Sequence, residues 1–287
     1  MDFWKDLNRF VLYEPNNTRL TSGYRYKYAL PFEKVDDPKG WTVNIFQKYW
    51  HHSITISVAY FIVIKLIQVW MNNRKPFNLQ VPLVLWNGGL AIFSLLGAIR
   101  FSEDFINSLL KEDLYKSLCY SCHPNDVAAF WSFLFAVSKI VELGDTLFIV
   151  LRKRPLIFLH YYHHAAVLIY TVHSGAENTA AGRAFISMNF GAHALMYSYY
   201  TLTAMRIRVP KMISMFVTTM QTIQMLAGVM VSFYVYRIKT RTNLPCQQSM
   251  ANLYLAFLIY VTFAILFIQF FLKTYIWKNK SKSKKLE

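Results

Sequence analysis

Residues 157–173 read IFLHYYHHAAVLIYTVH, and positions 160–164 within them hold three histidines. The stretch is otherwise apolar enough to enter a bilayer, whose hydrocarbon core takes about 20 residues of helix. Inside lipid every backbone N–H and C=O needs a partner within its own element or a closed barrel, so such a run is read as a helix. On a helix His160, His163 and His164 stand at i, i+3 and i+4 and share one face. One buried histidine is ordinary core packing. Three on one face point to metal ligation or to chemistry on a carbonyl.

Working outward, apolar runs of spanning length fall at about 53–71, 81–101, 127–151, 157–173, 184–205, 211–236 and 251–277. They predict an all-α, polytopic membrane protein. Its seven transmembrane helices lie within residues 51–277, after a polar, aromatic-rich segment over 1–50 and before a basic tail over 278–287. Composition agrees: 55% of the 287 residues are hydrophobic and 17% aromatic, with 19 Tyr and 7 Trp that suit membrane interfaces and apolar clefts. Lys and Arg number 31 against 15 Asp and Glu, a net charge of +16. These cations lie between apolar runs, which marks loops and not a nucleic-acid surface. The start, MDFWKDLNRF, lacks the apolar core of a cleavable signal peptide, so the first spanning helix is expected to direct insertion.

The loop charges orient the bundle. Arg74-Lys75, Arg152-Lys153-Arg154, Arg206, Arg208 and Lys211, and the tail from Lys278 fall on one side. The opposite connections are less basic, and 102–126 carries Glu103, Asp104, Glu112, Asp113 and Asp126. The positive-inside rule puts the first set in the cytosol and the N-terminus outside. The final KKLE matches a dilysine retrieval signal read from the cytosol, which implies the endoplasmic reticulum. Asn16-Asn17-Thr18 is a glycosylation sequon on the expected lumenal side, whereas Asn279-Lys280-Ser281 falls on the cytosolic side and should be silent. Cys119, Cys122 and Cys246 all lie in lumenal connections, the oxidising side. Cys246 is expected to pair with Cys119, with Cys122 as the alternative partner.

Ionisable groups at membrane depth are costly and suggest function. AVSKIVELGDTLFIV puts Lys139, Glu142 and Thr146 on one face, with Asp145 at its edge. Lys139 and Glu142 can also pair simply to fix packing. NFGAHALMYSYY lines a face with Asn189, His193, Met196, Tyr197 and Tyr200, and TTMQTIQM places Thr218, Gln221 and Gln224 three apart. The glutamines could equally bond between helices. Four consecutive helices thus carry polar faces expected to meet in one cavity with an aromatic, Met-rich wall, a slot for a long apolar substrate.

Two chemistries compete for that cavity. HxxHH also occurs in membrane di-iron desaturases and hydroxylases, which need about eight histidine ligands. Here only His160, His163, His164 and His193 can reach one cavity; His51, His52, His123 and His173 lie at helix ends or in a loop. No metal is therefore expected. Acyl chemistry needs an acyl acceptor, a carbanion source and an oxyanion stabiliser. With every cysteine in a lumenal loop, imidazole remains as the nucleophile.

KIVELGDT (139–146), HYYHH (160–164), NFGAHALMYSYY (189–200) and TTMQTIQ (218–224) resemble, in order and spacing, the signatures of the very-long-chain fatty acid elongases: KxxExxDT, HxxHH, NxxxHxxMYxYY and TxxQxxQ. The similarity runs from about residue 45 to the tail. KPFNLQVPLVLWN and RKRPLIFLHYYHH look most like the animal branch that acts on saturated and monounsaturated acyl-CoAs. The resemblance implies seven helices, six of them enclosing a substrate tunnel. It also implies a 3-oxoacyl-CoA synthase that joins acyl-CoA to malonyl-CoA with loss of CoA and CO2 and needs no cofactor. A homodimer is suggested too, with reductases and a dehydratase completing the cycle.

On that basis His163 is expected to take the acyl group as an acyl-imidazole. His164 or His160 would orient or deprotonate it, and His193 would donate to the oxyanion or enolate. Lys139 and Asp145 would hold the histidines or the malonyl carboxylate. Glu142, Asn189, Tyr197, Tyr200, Gln221 and Gln224 are assigned to substrate binding, and Arg152 and Lys153 to the CoA phosphates. A seven-helix receptor or transporter is the reading from another class. It would use Lys273, but that lysine lies near the cytosolic end, where it snorkels.

Overall fold

The computed structural model describes residues 3–10 and 20–277; the Asn16 sequon, Asn279 and the dilysine tail lie outside the described residues. The chain is helical almost throughout: α1 (Phe3–Leu7), α2 (Pro38–Gly40), α3 (His52–Met71), α4 (Gln80–Lys111), α5 (Leu114–Cys119), α6 (Val127–Val141), α7 (Gly144–Leu151), α8 (Phe158–Glu177), α9 (Gly182–Ala204), α10 (Lys211–Arg241) and α11 (Met250–Phe271). Pro31–Glu33 forms a 3₁₀ turn, and Trp41–Gln47 and Leu272–Trp277 are π-helical. Among the described residues there is no strand, only an isolated bridge between Thr21 and Ser121.

Four helices are long and apolar enough to cross a membrane: α3, α4, α10 and α11 with its π-helical continuation to Trp277. Their outer faces leave Leu66, Val69, Leu85, Ile92, Met230 and Ile265 largely uncovered. Apolar surface on that scale is stable against lipid and not against water. The chain is a polytopic, all-α membrane protein. The runs at 127–151, 157–173 and 184–205 are helical as well, but they are diluted by the polar side chains they turn inward.

Two stretches depart from the sequence reading. The run at 127–151 is two helices, because α6 stops at Val141 and α7 starts at Gly144. Between them Asp145 N bonds Glu142 O (3.0 Å) and Thr146 N bonds Leu143 O (3.3 Å), a tightened i→i−3 turn. The 102–126 connection is also largely helical. At about 1.5 Å per residue, the 32 residues of α4 outrun a hydrocarbon core of about 30 Å.

That overhang carries a polar clamp. Arg183, 2% exposed, donates Nε to Asp104 Oδ2 (2.7 Å), Nη2 to Ser108 Oγ (2.7 Å) and Nη1 to Tyr120 O (3.0 Å). Cys119 and Cys246 form a disulfide, and Cys122 is free and buried. Deeper in the bundle α4 lies along α9. At Gly97 an added Cβ would fall 2.4 Å from the Phe190 ring, so only glycine permits that approach.

Candidate active site

α8 takes its shape from an unbroken run of helix-competent residues. Ile157, in extended backbone, starts it, and Asn178, in the left-handed region (φ 53°), ends it. The helix thereby holds His160, His163 and His164 on one side. That side faces α7, α9 and α10 across a cavity whose empty space, with the open space at its mouth included, is about 760 Å³. The cavity wall includes all three of these histidines with Asp145, Asn189, His193, Tyr197, Tyr200, Gln221 and Gln224, and Phe267 and Phe270 of α11 also line it. A second cavity, with about 1160 Å³ of empty space when the open space at its mouth is included, runs away from it toward Trp41, Thr42 and Phe46. The two share His163, Asn189, Gln224 and Met225.

The four imidazoles have different surroundings. His160 Nε2 is 2.9 Å from Thr146 Oγ1, which in turn bonds Tyr60 Oη at 2.6 Å. His164 Nε2 faces Asp145 Oδ2 at 3.9 Å, and His193 Nδ1 faces Glu142 Oε2 at 3.7 Å. His163 packs against Phe263, ring centroids 4.8 Å apart. Among the described residues it alone of the four has neither a hydrogen bond nor a carboxylate within ion-pair reach, and it alone lines both cavities.

Behind these rings stands a charged support. Lys139 Nζ donates to Glu142 Oε1 (2.8 Å) and to Asn189 Oδ1 (2.9 Å), and both charged side chains are 3% exposed. Neither lines either of these two cavities: Lys139 holds the amide of Asn189, and Glu142 faces His193. Asp145 accepts from Trp86 Nε1 (2.6 Å) and Tyr197 Oη (2.7 Å), which fixes the carboxylate opposite His164. Gly144 makes room for this, since a Cβ there would lie 2.7 Å from the Trp86 ring. On α10, Gln221 Nε2 approaches Met196 Sδ at 3.1 Å, and Thr218 Oγ1 lies 3.2 Å from Tyr275 Oη.

Arg152 and Lys153 occupy the turn after α7 and line neither cavity. Lys153, in left-handed backbone (φ 51°), donates Nζ to Asn72 O at 3.0 Å. Trp86, Tyr60 and Phe263 escaped the sequence reading. Each is one aromatic in an apolar run, where nothing separates a partner of the site from core packing. No group of three or more His, Cys, Asp or Glu is arranged to hold a metal ion among the described residues.

Comparison of the sequence with known proteins finds relatives of the chain. Residues 45–284 match the GNS1/SUR4 family, ELO. The chain is 67% identical over 286 residues to the putative fatty acid elongase 4 of Caenorhabditis elegans, covering 100% of this chain and 98% of that protein. It is 45% identical to the human very long chain fatty acid elongase 3, over 83% of this chain and 88% of the relative. With the mouse very long chain fatty acid elongase 6 it shares 40% identity, over 83% and 90%.

Proposed function

The chain belongs to the GNS1/SUR4 (ELO) family of fatty acid elongases, and on that premise we propose that it is a 3-oxoacyl-CoA synthase. It condenses a long-chain saturated or monounsaturated acyl-CoA with malonyl-CoA and releases CoA and CO2. The observation that carries this reading is the place of His163: among the described residues its imidazole has neither a hydrogen bond nor a carboxylate within ion-pair reach, and it stands where the two cavities meet. A thioester whose alkyl chain fills the larger cavity has its carbonyl at that ring.

The reaction runs in two stages. An imidazole nitrogen of His163 attacks the acyl carbon, a C–N bond forms, and the C–S bond breaks. The CoA thiolate leaves with the proton that the imidazole loses. Malonyl-CoA then enters the smaller cavity. Its bond to the carboxylate breaks, CO2 departs, and the carbanion takes the acyl group. The C–N bond to His163 breaks and the ring recovers a proton, so one proton is taken up overall.

His164, held opposite Asp145, and His160, held by Thr146, orient and exchange protons at that ring. His193 donates to the oxyanion and the developing enolate. Asn189, Gln221 and Gln224, with the hydroxyls of Tyr197 and Tyr200, bond the thioester oxygens. Lys139 and Glu142 act as positioning residues through Asn189 and His193. Arg152 and Lys153 sit just before the α8 residues that open the smaller cavity, where CoA phosphates would meet them.

In this reading residues 51–277 form seven spans, six of them around the tunnel, in the endoplasmic reticulum membrane. The N-terminus is lumenal and glycosylated at Asn16, and the dilysine tail is cytosolic. The enzyme acts as a homodimer, and reductases and a dehydratase finish the cycle. The test is intact-protein mass after exposure to acyl-CoA alone. The wild-type chain should gain one acyl group and His163→Ala none. A chain that condenses both substrates without ever gaining acyl mass reacts in one step, and the covalent stage is then wrong.

A further inference from the structure

We infer that Tyr60 is a positioning residue for the condensation: through Thr146 it fixes His160 in the tautomer that keeps its proton on Nδ1, so that this ring offers an N–H donor to the bound substrate. The inference deepens the function proposed above and rests on that reading of the cavity His160 lines.

α3 buries one stripe, Ser53, Ser57, Tyr60, Ile64 and Met71, and leaves Val58, Ile62, Leu66 and Val69 exposed on its other faces. The buried positions share a side of the helix, and that side packs on α7 and α8. Tyr60 stands there in an apolar cluster with Ile64, Val150 and Ala165. Its hydroxyl meets Thr146 Oγ1 at 2.6 Å, and Thr146 Oγ1 meets His160 Nε2 at 2.9 Å. Thr146 is fully buried, and the tightened turn between α6 and α7 delivers it to this place. Among the described residues neither hydroxyl has another hydrogen-bond partner.

The direction of this chain follows from counting protons. With the ring proton on Nε2, the imidazole, the threonine and the phenol would be three donors for two contacts. One buried donor would then be left unpaired, and that costs more than a hydrogen bond returns. With the ring proton on Nδ1, Tyr60 donates to Thr146, Thr146 donates to the Nε2 lone pair, and every proton in the chain is used. The bond made by one ring nitrogen thus sets the proton on the other. Among the described residues no protein group bonds Nδ1, and His160 lines the smaller cavity beside His164, ring centroids 4.5 Å apart. Its N–H is left for a thioester or carboxylate oxygen of the substrate. A donor set in place before the substrate arrives needs no reorganisation during the reaction.

The test uses the full-length chain in detergent, with isotope-labelled histidine. Nuclear magnetic resonance of the ring nitrogens reads the tautomer, His160→Gln identifies the signal, and labelled malonyl-CoA incorporation gives kcat and KM. In the wild type the His160 signal should show Nδ1 protonated and Nε2 bare. Tyr60→Phe leaves Thr146 free to turn, so the signal should move toward a mixture of tautomers. Its kcat should fall about tenfold, as for the loss of one hydrogen bond, with KM little changed. Thr146→Val should lose at least as much and Thr146→Ser should keep the rate, so the chain can be judged even if Tyr60→Phe does not fold. Ser57→Ala is the control: it removes the neighbouring α3–α8 bond from Ser57 Oγ to Ala165 O (3.2 Å) and should change neither readout. A wild-type signal with Nε2 protonated overturns the inference. So does a Ser57→Ala rate as low as that of Tyr60→Phe, since the effect is then packing. The expected signals in a chain that condenses nothing would leave the hydrogen-bond chain standing and overturn the proposed reaction.

Discussion

Glu33 shows what a single carboxylate does at the end of the bundle near the N-terminal segment. Its side chain is fully buried and accepts from Arg100 Nε (2.9 Å), Trp131 Nε1 (2.8 Å) and the Leu30 N–H (2.9 Å). Burial alone would raise its pKa, but the Arg100 guanidinium, the Trp131 indole and the Leu30 N–H outweigh it and hold the group at about 2, below the ordinary 4.5. A carboxylate with a depressed folded pKa stabilises fully above the unfolded value and loses that contribution as pH falls through the folded one. Thermal melts should therefore lose stability between pH 4.5 and about 2. Glu33→Gln should melt lower at neutral pH and show a shallower acid limb; an acid limb parallel to the wild type would remove Glu33 from this role. His163 makes the other prediction at this scale. His163→Ala should lower elongation by about 10³-fold or more, as loss of a nucleophile does, with the melting temperature little changed. The histidines were legible because polar groups stand out in an apolar run. Glu33 was not, because its partners are 67 and 98 positions away.

The break between α6 and α7 belongs to the scale of the element. Hydropathy is continuous across 127–151, so the sequence reads as one helix there; the interruption lies in i→i−3 hydrogen bonds that no periodicity reports. The Lys139–Glu142 pair lies at this break and is buried on both sides. Removing one partner of a buried pair leaves an uncompensated charge, which costs about 3–5 kcal/mol. Lys139→Ala should destabilise by about that much in denaturant titrations. The double variant Lys139→Met with Glu142→Leu should recover most of the loss, since apolar groups of similar volume can replace a buried pair. It should not recover elongation, because Asn189 loses its donor and His193 its carboxylate. A double variant with full activity would reduce the pair to packing. The starts of the seven runs were legible to within two residues, whereas α4 runs on to Lys111, ten residues past the end of its apolar run. The polar faces were legible too, because i, i+3 and i+4 spacing fixes which side chains share a side before any partner is known.

At the scale of the whole molecule, the connections at the Cys119 end were the least legible part. Composition marks 1–50 and 102–126 as polar connections. How they pack on the bundle depends on partners far away in sequence, as Phe46 against Gly175 and Arg183 on Asp104. Cysteine chemistry did point to a bridge but left two partners for Cys246. The disulfide to Cys119 joins positions 127 apart and ties the end of α5 to the start of α11. Backbone bonds continue the tie, from Gln247 N to Cys119 O (3.0 Å) and from Ala180 N to Gln247 O (2.8 Å). A loop of that length is worth about 4–5 kcal/mol of chain entropy in an unrestrained unfolded state. In a membrane the unfolded state keeps much of its helix, so a smaller gain of about 2–3 kcal/mol is expected here. Reducing agent should thus lower the wild-type melting temperature. Cys246→Ser should start at that lower value and not respond to reductant. Cys122→Ser should behave as the wild type in both respects, because Cys122 is outside the bridge. The disulfide lies away from the histidines, so elongation at low temperature should survive reduction. A reductant response that vanishes in Cys122→Ser would mean that the bridge had formed to the wrong neighbour.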